Sequence, residues 1–298
     1  MRCAILGAAL LAAAATTVAA APLDLAYGAY QRGLYITAFR EASARLDKNP
    51  TDAAAMTLIG ELYNQGLGLR LSPEDAAGWY RLAARQGDRS AMATLGLMSV
   101  DGRGMERDPA QGRAWLEKAA AAGEPSAAYN LARVLIGTGA PDDLRRGARL
   151  LEVAAAGEIG DAQHALGVLH ARGLGVPQSG AEAARLYERA ARNGSLAGEV
   201  ELAIVQFNGD GTPKNEAGAA RHFRRAAARG NAIAQNRLAR LYATGRGVPK
   251  NLVEAAAWHL AAAGQGLADA WLDGALRDLP AADRARAEQL AAERSGRL

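Results

Sequence analysis

Residues 242–259 read YATGRGVPKNLVEAAAWH. Gly245 and Gly247 stand two apart, Asn251 follows four residues after the second glycine, and an alanine-rich run carrying Trp258 comes next. A glycine-rich stretch before a helix can open a nucleotide site, because the free N–H groups at a helix start hold phosphate. It can equally be a turn between two helices. Recurrence decides between them. YNQGLGLRLSPEDAAGWY (63–80), VDGRGMERDPAQGRAWL (100–116), HARGLGVPQSGAEAARLY (170–187) and FNGDGTPKNEAGAARHF (207–223) share the layout, and IGTGAPDDLRRGARLL (136–151) is a shorter relative. The second glycines fall at 68, 104, 139, 175, 211 and 247, in steps of 35 or 36 residues. A period in the thirties marks a helical repeat array. A phosphate loop would occur once, with GK[ST] or a third glycine, and no copy ends that way.

Each glycine pair therefore reads as a connector inside a helical hairpin. Four residues beyond the second glycine stand Ser72, Asp108, Asp143, Ser179, Asn215 and Asn251. Side chains of these types accept hydrogen bonds from the first free amides of a helix. Pro73 and Pro109 follow at the first helical position, where a missing N–H costs nothing. The second helix of each unit then runs to a closing glycine, at 87, 123, 157, 194, 230 and 266, the expected left-handed stop. Asp88, Ser195 and Asn231 cap the following helices, with Glu124-Pro125 as a variant.

Bulky residues repeat in phase. Trp79, Trp115, Leu186, His222 and Trp258 each precede a closing glycine by eight residues, beside Tyr80, Leu116, Tyr187, Phe223 and His259. Small residues on the first helix, at Gly60, Gly96, Gly167 and Ala239, suit knob-and-gap packing. The third unit departs, with APDD in its loop and Leu150-Leu151 in place of tryptophan, and a change of curvature is expected there. No hairpin buries its apolar face alone, so the stack is the stable unit.

Composition agrees with this. Half of the 298 residues are hydrophobic but only 5% are aromatic, a balance of alanine-rich helices in close approach. The formal charge is +4, with both signs interleaved and no block of five like charges, so the charges read as solvated helix faces and not as a nucleic-acid footprint. The opening MRCAILGAALLAAAATTVAAAP has Arg2, an apolar core and small residues near an A-x-A site, which reads as a cleaved secretory signal peptide over residues 1–21. The one cysteine, Cys3, falls inside it, leaving the exported chain without disulfides or thiol chemistry. The expected organisation is a signal at 1–21, an N-terminal capping helix within 22–50, six repeats over 51–266, and a cap of two helices broken at Pro280 over 267–298.

The unit A-x-x-x-L-G-x-x-Y-x-x-G-x-G-V-x-x-[DN]-x-x-x-A-x-x-W-x-x-x-A-A-x-x-G resembles the Sel1-like repeat, a relative of the tetratricopeptide repeat, most clearly in AQNRLARLYATGRGVPKNLVEAAAWHLAAAGQG (234–266). The resemblance implies an all-α, right-handed α-solenoid that serves as a protein-binding scaffold. The stretches AYQRGLYITAF (29–39), MTLIGELYNQGLGL (56–69) and AIAQNRLARLY (232–242) resemble the ExoR family of periplasmic regulators of exopolysaccharide production. That resemblance implies a partner, the periplasmic domain of a sensor histidine kinase held inactive, and release by acid-linked proteolysis. A structural scaffold in envelope or polysaccharide assembly, or a glycan-binding module, stays open beside it.

A curved stack exposes a concave face lined by the first helices. Its candidate contacts are Glu61, Asn64, Asn130, Arg133, Glu199, Asn236, Arg237 and Arg240, and the tyrosine-rich opening adds Tyr30 and Tyr35. Enzyme chemistry, cofactors and metals are not expected. The four histidines fall at packing slots or on separate faces, and no HExxH, nucleophile–base pair or carboxylate dyad occurs.

Overall fold

A computed structural model describes residues 24–295, so the expected signal peptide lies outside the described residues. Sixteen helices and no strand occur among them. Six hairpins follow one another: α3 (Ala53–Gln65) with α4 (Pro73–Arg85), α5 (Arg89–Asp101) with α6 (Pro109–Ala121), α7 (Pro125–Thr138) with α8 (Pro141–Ala156), α9 (Gly160–Arg172) with α10 (Gly180–Arg192), α11 (Leu196–Asn208) with α12 (Glu216–Ala228), and α13 (Ala232–Thr244) with α14 (Leu252–Ala263). Each helix packs on the next in sequence, and first helices of neighbouring hairpins also meet, α5 with α7 and α9 with α11. First helices therefore line the inner face of an α-solenoid.

Five of the six loops share one hydrogen-bond pattern. The cap residue's N–H donates to the carbonyl nine residues earlier: Ser72 to Tyr63, Asp108 to Ser99, Ser179 to His170, Asn215 to Gln206 and Asn251 to Tyr242, at 2.7–3.0 Å. The same five side chains accept from the amide three residues on, at 2.8–3.2 Å. Such caps contribute about 1 kcal/mol each. Within each hairpin, a small residue on the first helix admits a large one from the second. A Cβ at Gly167 would stand 2.6 Å from the Tyr187 ring, and Gly60 and Gly96 face Tyr80 and Leu116 the same way.

In five of the six loops the first glycine of the pair ends its helix in the left-handed region, and the second is left-handed as well. The second also presses on the preceding hairpin. A Cβ on Gly104 would lie 2.1 Å from the Pro73 carbonyl oxygen, one on Gly211 2.1 Å from the Gly180 carbonyl carbon, and one on Gly247 2.2 Å from the Glu216 oxygen. Loop backbone thus lies directly on the first turn of the previous second helix.

The third unit corrects three sequence expectations. Gly139 is left-handed but ends α7, so it corresponds to the first glycine of the other pairs and not the second. The loop shrinks to Gly139-Ala140, α8 starts at Pro141, and Asp143 lies inside its first turn instead of capping it. Asp143 instead accepts from the Thr138 hydroxyl at 2.8 Å. Gly157 has φ −78°, and the left-handed stop passes to Glu158 at φ 60°. Gly157 is needed for another reason, since a Cβ there would stand 2.5 Å from the Pro125 ring. Glu158 is held in its costly conformation by Arg189 at 3.0 Å and Asn193 at 2.5 Å.

The single N-terminal capping helix is in fact two, α1 (Leu25–Gln31) and α2 (Tyr35–Lys48), parted at Gly33, whose φ is 75°. Gly68 presses on Tyr35 and Ile36 as Gly104 presses on Pro73, so α1 and α2 stand where a preceding hairpin would. At the other end α15 (Ala270–Ala275) and α16 (Ala281–Ser295) flank Pro280 as expected, and α16 covers α14.

These contacts rank the glycines. Gly194, at φ 82° with nothing within 4 Å of a Cβ, loses about 1–2 kcal/mol on Gly194→Ala. Gly211→Ala adds a backbone collision, and the loss is about 3 kcal/mol or more. Urea denaturation of the two variants orders them; equal losses would remove the loop-on-helix contact from the account.

Candidate functional site

The inner face is not uniform. An open cleft lies at the C-terminal end, between α11, α13 and α15, with a volume near 350 Å³. Ile204 and Phe207 come from α11, Phe223 from α12, and Leu241 and Thr244 from α13. Asn208, Arg237, Arg240, Arg246 and Trp271 complete the lining, which contains no carboxylate. Trp271 is 47% exposed, and its neighbour Leu272 is fully buried and anchors the short helix beneath it.

The arginines are held as planes. The Arg246 guanidinium lies 4.1 Å from the Phe207 ring centre, and that of Arg240 5.3 Å from Trp271. Each is fixed from behind by a carboxylate. Arg246 donates through Nε and Nη2 to Glu216, and Arg240 through Nε and Nη2 to Asp269 at 2.6 and 2.8 Å. Asp269 also caps α15, accepting from Trp271 and Leu272, and takes a bond from Asn236 at 2.7 Å. The hydrogen bond from Arg240 holds the Asp269 carboxyl far below the usual range, and the same pair raises the Arg240 pKa. Arg237 is exposed and makes no ion pair among the described residues.

Sequence reasoning named three of these residues. Arg237 and Arg240 line the cleft, and Asn236 orients Asp269 from the side. Glu199 is displaced from the surface: it is 4% exposed, with Arg225 Nε donating to it at 2.5 Å. Glu61 accepts from the Tyr80 hydroxyl at 2.5 Å, and burial, joined by that bond, pushes the tyrosine well above its ordinary value. Asn64 is partly buried and its Oδ1 has no partner. Asn130 donates to the Ser126 carbonyl, and Arg133 lies over Tyr129 at 5.8 Å. Tyr30 packs edge-on to Tyr35 and stacks on Tyr27, with burial raising its pKa. Tyr30, Tyr35 and Glu61 thus lie at the opposite end of the array from the cleft. Phe207, Arg246 and Trp271 went unnamed. Arg246 is the residue between the two glycines, a position that varies from loop to loop, and Trp271 belongs to the cap.

His222 sits against the buried Glu199. The His222 Nδ1 lies 2.8 Å from Arg225 Nη2 and 3.3 Å from Glu199 Oε1. Burial lowers its pKa, with Arg225 and Arg221 acting in the same sense and Glu199 opposing. His164 is lowered by burial too.

An array of helix pairs with an open, aromatic and cationic inner face defines a class, the solenoid scaffolds that hold other proteins. Within it, this chain belongs to the Sel1 repeat family: the family model matches residues 53–88, 89–124, 125–158, 160–195, 197–231 and 232–267. Sel1 repeats mediate protein–protein interaction. A protective antigen present in uropathogenic Escherichia coli strains, displaying an SLR fold, superposes with a TM-score of 0.55 at 22% identity, over 88% of this chain and 64% of that one. This chain therefore spans under two thirds of that antigen's length. A Sel1 repeat protein from Oxalobacter formigenes aligns at 24% identity over 90% and 98% of the two chains, with a TM-score of 0.43. No curated protein matches.

Two measurements test the geometry. Because the folded His222 has a lowered pKa, the unfolded chain takes up its proton first as pH falls, so stability present at neutral pH is lost below the ordinary value of 6.5. His222→Phe flattens that loss between about pH 7 and pH 5 in urea titrations, and an unchanged slope would exclude His222 as its source. Asp269→Ala removes both the cap and the acceptor of Arg240, costing about 1–3 kcal/mol. Hydrogen exchange would read this as faster exchange confined to α15 and its contacts.

Proposed function

We propose that this chain is an exported, non-catalytic regulator that binds the periplasmic domain of a sensor histidine kinase, holds it inactive, and so controls exopolysaccharide production. The observation that carries the protein-binding part is the cleft between α11, α13 and α15. It offers arginine and tryptophan, the residue types that dominate binding hot spots, in planes already fixed before any partner arrives. The A-x-A-bearing opening of the sequence supports export, and the AYQRG opening at 29–33 supports the regulatory assignment through its resemblance to the ExoR family.

Binding of the purified chain to the periplasmic domain of a sensor kinase from the same organism tests the reading, at about pH 7 and about pH 5.5, a window in which histidine titrates. The expected result is a complex at neutral pH that weakens in acid. No complex at either pH sinks the kinase assignment and directs unbiased crosslinking to envelope-assembly proteins.

A further inference from the structure

We infer that the C-terminal cleft accepts a partner segment in which one large apolar side chain is flanked by a carboxylate. This rests on the reading of the array as a protein-binding scaffold and adds the chemistry that the scaffold selects.

The floor and the rim of the cleft ask for different things. Ile204, Phe223 and Leu241 make an apolar floor, and the volume near 350 Å³ holds about one large side chain. Above it stand three arginines with no carboxylate in the lining. Asp269 and Glu216 neutralise two of them from behind, and they use only Nε and Nη2 of each guanidinium. The Nη1 groups of Arg240 and Arg246 have no acceptor among the described residues, and Arg237 has its whole fork unspent. The cleft therefore presents unsatisfied donors of fixed orientation around an apolar hole. A carboxylate meets such donors with charge-assisted bonds. A lysine in the same segment would meet only like charge.

Trp271 adds a wall. Its ring is half exposed while Arg240 lies on one face, so an incoming apolar side chain covers the open part and dries the Arg240 stack. Removing water there strengthens each charged contact. The apolar and the anionic parts of the segment thus reinforce each other, and neither alone fills the site.

The test uses three terminally blocked heptapeptides and the full chain. The first carries a central leucine between glutamate and aspartate, the second replaces both acids by lysine, and the third replaces leucine by alanine. Binding is read as the NMR shift of the Trp271 indole N–H, which registers weak complexes. The expected result is binding of the first at least about tenfold tighter than of either control, a gap that one charged contact or one buried side chain supplies. Arg237→Glu abolishes the preference without changing thermal unfolding, since Arg237 is exposed and unpaired. Trp271→Ala, read by calorimetry because that variant lacks the reporter indole, weakens binding as well. Equal binding of the acidic and lysine peptides, an Arg237→Glu variant that keeps the preference, or a response to a neutral oligosaccharide and not to the peptides would each overturn the inference. A photo-crosslinker at Trp271 and another at Arg133, on the central inner face, separate it from the underlying reading. Protein adducts from Arg133 alone leave the scaffold standing and remove this cleft; adducts from neither position remove both.

Discussion

The structure depends on an absent atom. At five loops the second glycine lets backbone lie on backbone, loop against the first turn of the preceding second helix, where any Cβ would fall within 2.1–2.8 Å of an occupied position. Helix packing alone leaves successive hairpins free to slide within the tolerance of ridges and grooves. A backbone contact without side chains has no such tolerance, because nothing flexible can give. The glycine therefore fixes the register between hairpins, and the alanines of the interface can be small because the spacing is already short. The same glycine must be left-handed, so two independent demands converge on one residue.

The third unit shows what happens when that residue is missing. Its loop is too short to reach the first turn of α6, and Pro109 is exposed where Pro73 is partly covered. Longer helices compensate, with α8 at 16 residues against 13 in α10 and α12. The next loop then meets α8 at Leu144, within its first turn, so Gly175 still finds backbone to rest on. The irregularity is absorbed within one hairpin, as expected where each unit touches only its neighbours.

How much was legible follows from the same logic. The glycine period and the five caps were readable because each is set by local backbone demands, which one residue type meets. Asp143 misled because the spacing was measured from Gly139, whose role changes when the loop shortens. Gly33 was readable in principle as a helix stop, but the apolar pattern runs through it. At the site, Arg237 and Arg240 followed from helical periodicity on the inner face. Glu199 did not, because its burial is decided by Arg225 and His222, a helix away. Trp271 and Arg246 come from the cap and a loop, and no repeat pattern extends to them.

The cleft's position has its own physical cause. In the middle of the array first helices of similar length stand side by side, as α9 does against α11. At the C-terminal end, α13 has 13 residues and its neighbour α15 only six. A helix of that length covers less than half of α13, and Asp269 pins it there through Arg240. The uncovered half leaves Arg237 and Thr244 open above the buried Leu241, beside a tryptophan that the cap itself supplies. A terminal unit of a solenoid has to seal the apolar core. Here Leu272 does so from one side of α15 while Trp271, the residue before it, stays half exposed. The truncation that makes α15 a sufficient plug for the core is also what makes the cleft, so sealing and recognition are two faces of one short helix.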